Sequence, residues 1–536
     1  MVDLLTIGAS ASQLYKSALT TVGNNIANLH TDGYSRQSVE TSENIPNQLG
    51  TSFIGTGANL DGVIRSFSNF TENNLRQSNS ELSTQSQLIT YADRIVDIMG
   101  SESAGLSGAL DKFFMAAGDL STDPASGILR DTFLTESGSV AVRFNELAGQ
   151  LSDIEQQTQS EINLNVQNLN NLTQQLQSIN QQLDKNILLK NQPSMLLDSR
   201  DKVLLELADI AKIHVSERAS GAVDVRLDSS VGSIVVDGNA ANRFSTVFDP
   251  TQPGKVEIVA AYGSGRASSS VTGGVLGGLL NFRSQVLAPA IDSFDDLAST
   301  FATEVNAIQT TGIDLNGDRG TALFAIDAAL GGAAGISLLQ TDSNKIAAAG
   351  LLRVAPNSTN QGDMELEVES IAAGATPGTF TLTYTTASGY TIAGDPYTPA
   401  ADGTITYAGV TLSLSGTPGN GDSLAVVLNA DSAGDNRNML LMTRLQTKDV
   451  MSGGGSINQG YTDIVTTIGS QATLAKMSRE ALQVIYDQSV AAKDRISGVN
   501  LDEEAADLIK FQQAFQASAQ IIQVSQKLFD SILAVR

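Results

Sequence analysis

The chain has 536 residues, a formal charge of −25 from 57 acidic and 32 basic residues, and neither cysteine nor tryptophan. The length allows roughly three or four domains of about 100 to 200 residues each. The charge leaves no basic surface able to neutralise a run of phosphates, so neither nucleic acid nor an anionic membrane is an expected partner, and the missing thiols exclude disulfides, thiolate nucleophiles and cysteine-bound metals.

No window reaches the roughly 20 uninterrupted apolar residues of a membrane span. Met1-Val2-Asp3-Leu4-Leu5 has neither the basic start nor the continuous apolar core of a cleaved secretory signal, so a soluble chain, intact at its N-terminus even if exported, is expected. With aromatic residues at 5%, long, lightly packed helices and small β modules fit better than a dense enzyme core.

In chain order, residues 2–29 read as one helix. Leu4, Ile7, Ala11, Leu14 and Ala18 recur at spacings of three and four, widened by Leu5, Tyr15, Leu19, Val22, Ile26 and Leu29 into a broad apolar stripe. His30-Thr31-Asp32-Gly33 ends it, and an irregular Gly- and Asn-rich stretch runs to about Arg65. From Phe70, Leu75, Leu82, Ile89 and Val96 mark a second long helix. A shorter one covers about 106–120 and breaks at Asp123-Pro124, because the residue before proline is pushed out of the α region. From Gly127 to Leu189 the apolar spacing of Phe144, Leu147, Leu151, Ile154, Ile162, Val166, Leu169, Leu176 and Leu183 predicts a helix of about 60 residues, the length of a bundle or coiled-coil element. Its other faces are mostly Gln, Asn, Ser and Glu.

After a helix at 196–211 the period changes to two. Val223, Val225 and Leu227 alternate with Asp224, Arg226 and Asp228, as in half-buried strands. Gly273 to Gly278 reads as a flexible return, and helix resumes from Leu279 to Val305. Between about 340 and 430, Met364, Leu366 and Val368, then Phe380, Leu382 and Tyr384, Val410, Leu412 and Leu414, and Leu424, Val426 and Leu428 alternate with polar residues around turns at Asp402-Gly403 and Pro418 to Gly421. Helix returns at 438–445 and 461–495. The last helix starts at Asn500 as N-cap with Glu503 at the capping-box position, and runs to Arg536 with a seam of Leu508, Phe511, Phe515, Ser518, Ile522, Ser525, Phe529 and Ile532.

The expected fold class is therefore α+β and multidomain: a long-helix bundle and coiled coil formed by the N- and C-terminal parts, with inserted antiparallel β domains. Residues 1–36 with 500–536 form a terminal coiled-coil domain, and 37–211 with 272–312 and 436–499 a long-helix bundle. Residues 212–271 with 313–339 form a small β domain, and 340–435 an inserted β module. The terminal helices are expected to pack on each other or on further copies, since a two-helix hairpin alone buries too little to be stable.

Chemical motifs are sparse. His30 follows a helix and His214 lies in a strand pattern, both places where a polar residue needs no further role. Asp314-Leu315-Asn316-Gly317-Asp318 resembles the start of a calcium loop, but its glycine falls at loop position seven and Ala325 stands where a bidentate Glu belongs, so an Asx turn is the plainer reading. The paired glycines form no phosphate-binding fingerprint. Glu503 and Glu504 are accounted for by the positive end of a helix. No catalytic, cofactor-binding or metal residue is assigned, and no enzyme activity is expected.

Gly23-Asn24-Asn25-Ile26-Ala27-Asn28 followed by Thr31-Asp32-Gly33-Tyr34-Ser35-Arg36 resembles the N-terminal signature of the bacterial flagellar axial proteins, which include rod, hook and junction subunits. The stretch from Ser497 through Asn500 and Glu504 to Leu528-Phe529-Asp530 is similar to the C-terminal end of the hook–filament junction members. So are Leu110 to Ser126, Leu196 to Asp201, and Gly277 to Arg283. The similarity covers about 1–330 and 440–536; the β insertion at 340–430 carries no diagnostic motif. The resemblance implies a secreted subunit, exported unfolded through the flagellar type III apparatus, that forms a ring layer between hook and filament. Its implied partners are copies of itself, the hook protein, the second hook–filament junction protein and an export chaperone covering Phe511, Phe515, Ile522 and Phe529 of the C-terminal helix. A hook or distal-rod subunit would share the Asn25-Ile26-Ala27-Asn28 motif without the long central helix, and a secreted adhesin with a glycan-binding β insertion is the alternative from another class.

Overall fold

The computed structural model describes residues 3–534 except 50–51, 102–104, 187, 190–191, 250–254, 263–266, 268–270, 328, 373–374 and 430–432. Helix α1 (Asp3–Ala27) leads into an antiparallel arm of β1 (Gln37–Glu43), β2 (Asn47–Leu49), β3 (Ser52–Ile54) and β4 (Ala58–Arg65). Four helices follow: α2 (Asn69–Met99), α3 (Ser107–Thr122), α4 (Gly127–Leu183) and α5 (Ser194–Ile210). Next come β5 (Ile213–Glu217), β6 (Val223–Leu227), β7 (Ile234–Asp237), β8 (Ala240–Ala241), β9 (Phe244–Phe248) and β10 (Val256–Ala260). Helix α6 (Gly274–Asn281) passes through a π-helical turn at Phe282–Leu287 into α7 (Ala288–Thr310). Short strands β11 (Gly312–Ile313), β12 (Phe324–Ile326), β13 (Ile336–Leu338) and β14 (Ala349–Gly350) precede a β module. The module contains β15 (Leu352–Pro356), β16 (Glu365–Ile371), β17 (Phe380–Thr385), β18 (Gly389–Ile392), β19 (Asp395–Tyr397), β20 (Thr404–Tyr407), β21 (Val410–Ser415) and β22 (Ser423–Leu428). Helices α8 (Arg437–Arg444), α9 (Ile457–Ser497) and α10 (Leu501–Leu533) complete the chain.

The residues form two compact units, one of Met1–Thr90, Gln157–Ser284 and Ala472–Arg536, the other of Tyr91–Gln156 and Gln285–Gln471. In the first, β5 to β8 make a sheet in sequence order beside the β9–β10 hairpin, with Val223, Val225 and Leu227 of β6 turned into the core. The carboxamides of α4 hold these strands. Asn170 accepts from Phe244 N at 2.8 Å and donates to Phe244 O at 2.9 Å, pairing with the backbone as a neighbouring strand would. One turn pair earlier, Thr246 donates its hydroxyl to Asn163, and one later Gln177 donates to Asn239 O at 2.6 Å. Positions 163, 170 and 177 lie seven apart and so share one helix face. Asn180, fully buried, donates to Val223 O at 2.8 Å and Gly238 O at 2.9 Å and accepts from Val223 N at 3.0 Å. Polar residues off the apolar seam are thus strand clamps, a role that periodicity does not reveal.

The second unit concentrates the aromatic rings. Phe113 packs edge-on against Phe114 and Phe301 with centroids 5.1 and 5.3 Å apart, and Phe144 lies between Phe294 and Phe301 at 5.3 and 5.9 Å. Together with Phe133 and Phe324 these rings are almost wholly buried, so this part is a dense core in spite of the low aromatic content. The Arg130 guanidinium is buried here too, donating to the carbonyls of Pro124 and Ile346 at 2.7 Å each.

The β module has a core of its own. A five-stranded sheet ordered β15-β22-β17-β18-β19 faces a three-stranded sheet ordered β16-β21-β20 across Leu366, Phe380, Leu382, Ile405, Leu412, Leu424 and Val426. Its first and last strands pair in register from Leu352 opposite Leu428 to Pro356 opposite Leu424, so chain entry and exit lie side by side.

Three expectations change. The stretch 37–65 is not irregular: β1 pairs with β4 from Gln37 opposite Arg65 to Glu43 opposite Ala58. The sequence carries no strand signal here because both faces of these strands are largely exposed, which removes the apolar alternation. Strands within 213–260 pair among themselves, whereas β11 pairs with β14 and β12 with β13, so 212–271 and 313–339 share no sheet among the described residues. Alternation marks a half-buried strand without naming its partner. Gly277 and Gly278 are not a flexible return but lie inside α6, where a Cβ on Gly278 would stand 2.5 Å from Thr84 O of α2.

Removing the Asn180 carboxamide leaves buried backbone groups unpaired. Asn180→Ala is expected to lower unfolding free energy by about 1–3 kcal/mol, while the exposed Asn168→Ala stays within about 0.5 kcal/mol, both read by urea unfolding.

Candidate assembly joint at the base of the terminal helices

Helices α1 and α10 run antiparallel. Asn25 meets Glu504 at one end, the Tyr15 and Phe511 rings lie 6.3 Å apart, and a Cβ on Gly8 would stand 2.8 Å from an Ile522 side-chain carbon. Leu14, Ala18 and Val22 are buried on this seam, as is Ser518 opposite. Ile7, Ala11, Leu508, Phe511, Phe515 and Ile522 are half-buried. Leu4 is 51% and Phe529 58% exposed, and the side chain of Ile532 lies outside the described residues. Around the other side of α10, Ile509, Val524 and Leu528 are exposed at 55, 54 and 48%. The pair therefore covers one stripe of α10 and leaves a second apolar stripe bare.

The polar end of this seam is built on Asn25, which is 1% exposed. Its Nδ2 donates to Gln37 O and to Glu504 Oε2, both at 2.9 Å; its Oδ1 accepts from Tyr34 Oη at 2.8 Å and Gln37 N at 3.0 Å. All its hydrogen-bonding capacity is used. Glu504, equally buried, accepts at Oε1 from Arg36 Nε at 2.6 Å, and Arg36 also reaches Glu503 at 3.1 Å and Asp507 at 3.6 Å. The Arg36 backbone donates to Ser497 O at 2.8 Å. Four segments thus meet at one point: the end of α1, the start of β1, the end of α9 and the first turn of α10.

The remaining motif residues shape the turn that delivers Tyr34. Asn28 Nδ2 donates to Asn24 O at 2.9 Å and Asn28 Oδ1 accepts from Thr31 Oγ1 at 3.2 Å, Tyr34 N donates to Thr31 O at 3.1 Å, and Asn24 Nδ2 donates to Tyr34 Oη at 3.3 Å. Gly33 has φ +79°, where an L side chain is strained. Ile26 is half-buried. Asp32 pairs with Lys202 at 2.9 Å, which holds its carboxyl below the usual range and raises the lysine. A crevice of about 320 Å3 lies between this turn and α5, bordered by Asn28, Tyr34, Met195 and Lys202. Nearby, Arg65 anchors the arm to Asp198 at 2.9 Å and Asp201 at 2.6 Å.

Asn500 caps α10 by accepting from Asp502 N at 3.0 Å. Glu503 does not close a capping box; Arg36 draws it sideways. That ion pair and the Arg36–Glu504 pair span 467 and 468 residues of sequence, and the only sequence signal for them is an acidic doublet and an arginine ending a motif. Elsewhere, Asp314 Oδ1 accepts from Asn316 N and Asp318 N at 2.8 Å each, an Asx turn that occupies the carboxylate with its own loop. His30 and His214 are exposed. Among the described residues no group of three or more His, Cys, Asp or Glu is placed to hold a metal ion, and no helix is long and apolar enough to cross a membrane.

Burial, then the carboxylates of Asp198 and Glu504, push the Tyr34 hydroxyl from the usual 10.0 up to about 12. Because the folded value lies above the unfolded one, the stabilisation is intact below about pH 10 and is lost as pH rises through about 12. Tyr34→Phe is expected to flatten the fall in stability across that window, measured by chemical denaturation at stepped alkaline pH.

Residues 92–324 match a family model described as the flagellar hook-associated protein FlgK helical domain, and 495–535 match that of the flagellar basal body rod FlgEFG protein C-terminal. The chain is 26% identical to flagellar hook-associated protein 1 of Escherichia coli (strain K12) over 100% of both chains. It is 22% identical to that of Bacillus subtilis (strain 168) over 97% of this chain and 95% of the relative. In fold it is similar to the flagellar hook junction protein FlgK from Burkholderia pseudomallei, with a TM-score of 0.66 and 24% identity over 79% of this chain and 100% of that one. Along its whole length this chain is therefore similar in sequence to flagellar hook-associated protein 1, and it is similar in fold to the hook junction protein FlgK.

Proposed function

We propose that this chain is a structural subunit joining hook to filament in the bacterial flagellum, without enzyme activity. The observation that carries the reading is the bare second stripe of α10, a helix already packed along its first stripe against α1. A helix that is apolar on two sides is suited to the interior of an assembly. In this reading the subunit is exported unfolded, and α1 with α10 forms the inner part of a ring layer of identical copies. The hook protein lies on one side and the second junction protein on the other. Before export a chaperone covers the apolar face of α10.

The C-terminal match is described in terms of rod proteins, but the match over 92–324 is to the helical domain of a hook-associated protein, which favours the junction over a hook or distal-rod role.

A strain lacking the chain should carry hooks without filaments under the electron microscope; filaments on such hooks would overturn the reading. Deleting 500–536 should abolish both assembly and chaperone binding, with binding followed by co-purification. In the free monomer, amides of α1 and α10 should exchange with solvent far faster than those of the Phe113–Phe301 core, because neighbouring copies are missing.

A further inference from the structure

Among the described residues the β module ends in four edge strands, β15 and β19 of one sheet and β16 and β20 of the other. Three are closed to a further strand. β15 ends in Pro356, and its Leu352 carbonyl accepts from Arg437 Nη1 at 2.8 Å. β19 has three residues with Pro396 in the middle. In β20 the Thr406 N–H donates to Tyr397 Oη at 2.8 Å, and that hydroxyl donates to Thr406 O at 3.2 Å. Such edges have little backbone left to offer. β16 is the longest of the four, seven residues from Glu365 to Ile371, and among the described residues it pairs with β21 alone. A cavity of about 310 Å3 opens beside it, with an apolar wall of Leu352 and Val354 from β15, Leu366 and Val368 from β16, and Leu440 and Leu441 from α8.

The charge on this edge is one-sided. Glu365 and Glu367 stand exposed on the outer face of the strand, opposite Ser415 and Ser413, and Glu369 is exposed at the bulge between Val368 and Ser370. Residues 351–429 hold seven acidic residues and one basic residue, Arg353. Arg353 lies on the outer face of the other sheet, since its neighbours Leu352 and Val354 turn into the core. Among the described residues one cation pairs with these glutamates: Arg444 of α8 reaches Glu367, with the two side chains 62 and 58% exposed. Arg437, on the same helix, is held by Asp435 at 2.6 Å. An ion pair as exposed as Arg444–Glu367 is weak. Glu367 therefore already holds the kind of group it accepts, loosely enough for exchange.

We propose that the outer edge of β16 accepts an extended segment of a partner protein in which Lys or Arg alternates with aliphatic residues. The segment adds a strand by pairing its backbone with that of β16. Successive side chains of a strand point to opposite faces, so its basic residues meet Glu365 and Glu367 in place of Arg444 while its aliphatic residues enter the cavity. A second copy of the same edge is excluded as occupant, because it would set glutamates against glutamates.

The test uses the purified full-length chain and a blocked octapeptide of alternating Lys and Val, followed by isothermal titration calorimetry. This peptide should bind and its Glu-Val counterpart should not; failure of the first to bind, or equal binding of both, overturns the site. Because the whole chain is acidic, attraction alone draws a cationic peptide to it, so three further arms isolate the edge. Methylating the backbone amides of the peptide should weaken binding by about tenfold or more, and unchanged affinity would rule out strand pairing. Glu365→Gln with Glu367→Gln should weaken it by about tenfold, whereas Asp131→Asn with Asp153→Asn, which removes the same charge from exposed positions of α4, should not; equal losses would overturn the assignment. Arg444→Ala frees Glu367 and should tighten binding several-fold, a gain that a misfolded variant cannot give. Unchanged or weaker binding by that variant would refute the exchange.

Discussion

The meeting of the chain's two ends depends on a carboxamide and a carboxylate that have left water together. Asn25 and Glu504 are each 1% exposed, and removing either leaves the other, with Tyr34, Gln37 N and Arg36, short of a partner in a place solvent does not reach. Buried polar groups are costly when partly satisfied and specific when fully satisfied. An apolar seam such as that of α1 and α10 tolerates sliding by a turn, because one ridge of aliphatic side chains resembles the next. The Asn25–Glu504 bond does not, so it sets the register of the pair and its attachment to the arm and to α9.

The rest of the molecule divides its stabilisation along similar lines. The second unit relies on interlocked rings around Phe113, Phe144 and Phe301, whose burial is non-directional. The first relies on side chains that imitate backbone: Asn170 pairs with Phe244 as a neighbouring strand would, and Asn180 bridges Val223 of β6 to Gly238 at the end of β7. Beside them, Arg65, Arg200, Asp198, Asp201 and Glu217 form a network, buried at Arg200 and Asp201 and open at Glu217, in which each charge has an opposite neighbour. Such networks specify geometry more than they add stability.

The β module stands apart energetically. Its core is drawn from its own strands, and β15 and β22 return the chain to its starting point. An insertion with adjacent ends disturbs the surrounding helices little, because closing it imposes no new spacing on them. That makes it tolerant of change, and its sequence carries no motif tied to the joint or to the terminal helices.

Much of this was legible in the residues. Helices were readable wherever one face is apolar over several turns, as along Leu75 to Val96 or Phe144 to Leu183, and strands wherever one face is buried, as in Val223 to Leu227. The turn Asn24 to Tyr34 was readable as a signature, and Asn500 as a cap. The arm at 37–65 was not, because exposed strands have no alternation to read, and neither were the partners of Arg36, Asn170 and Asn180. Periodicity is a local property, imposed by 3.6 or 2 residues per turn on whatever the segment buries against. Which distant group fills a particular hydrogen-bonding site depends on where the whole backbone brings it. The sequence alone therefore determined most of the elements that bury one face, and the resemblance to the flagellar axial proteins. Only the tertiary structure decided that an arginine and a glutamate 468 residues apart would close the joint, since that pairing exists only once both ends of the chain are held together.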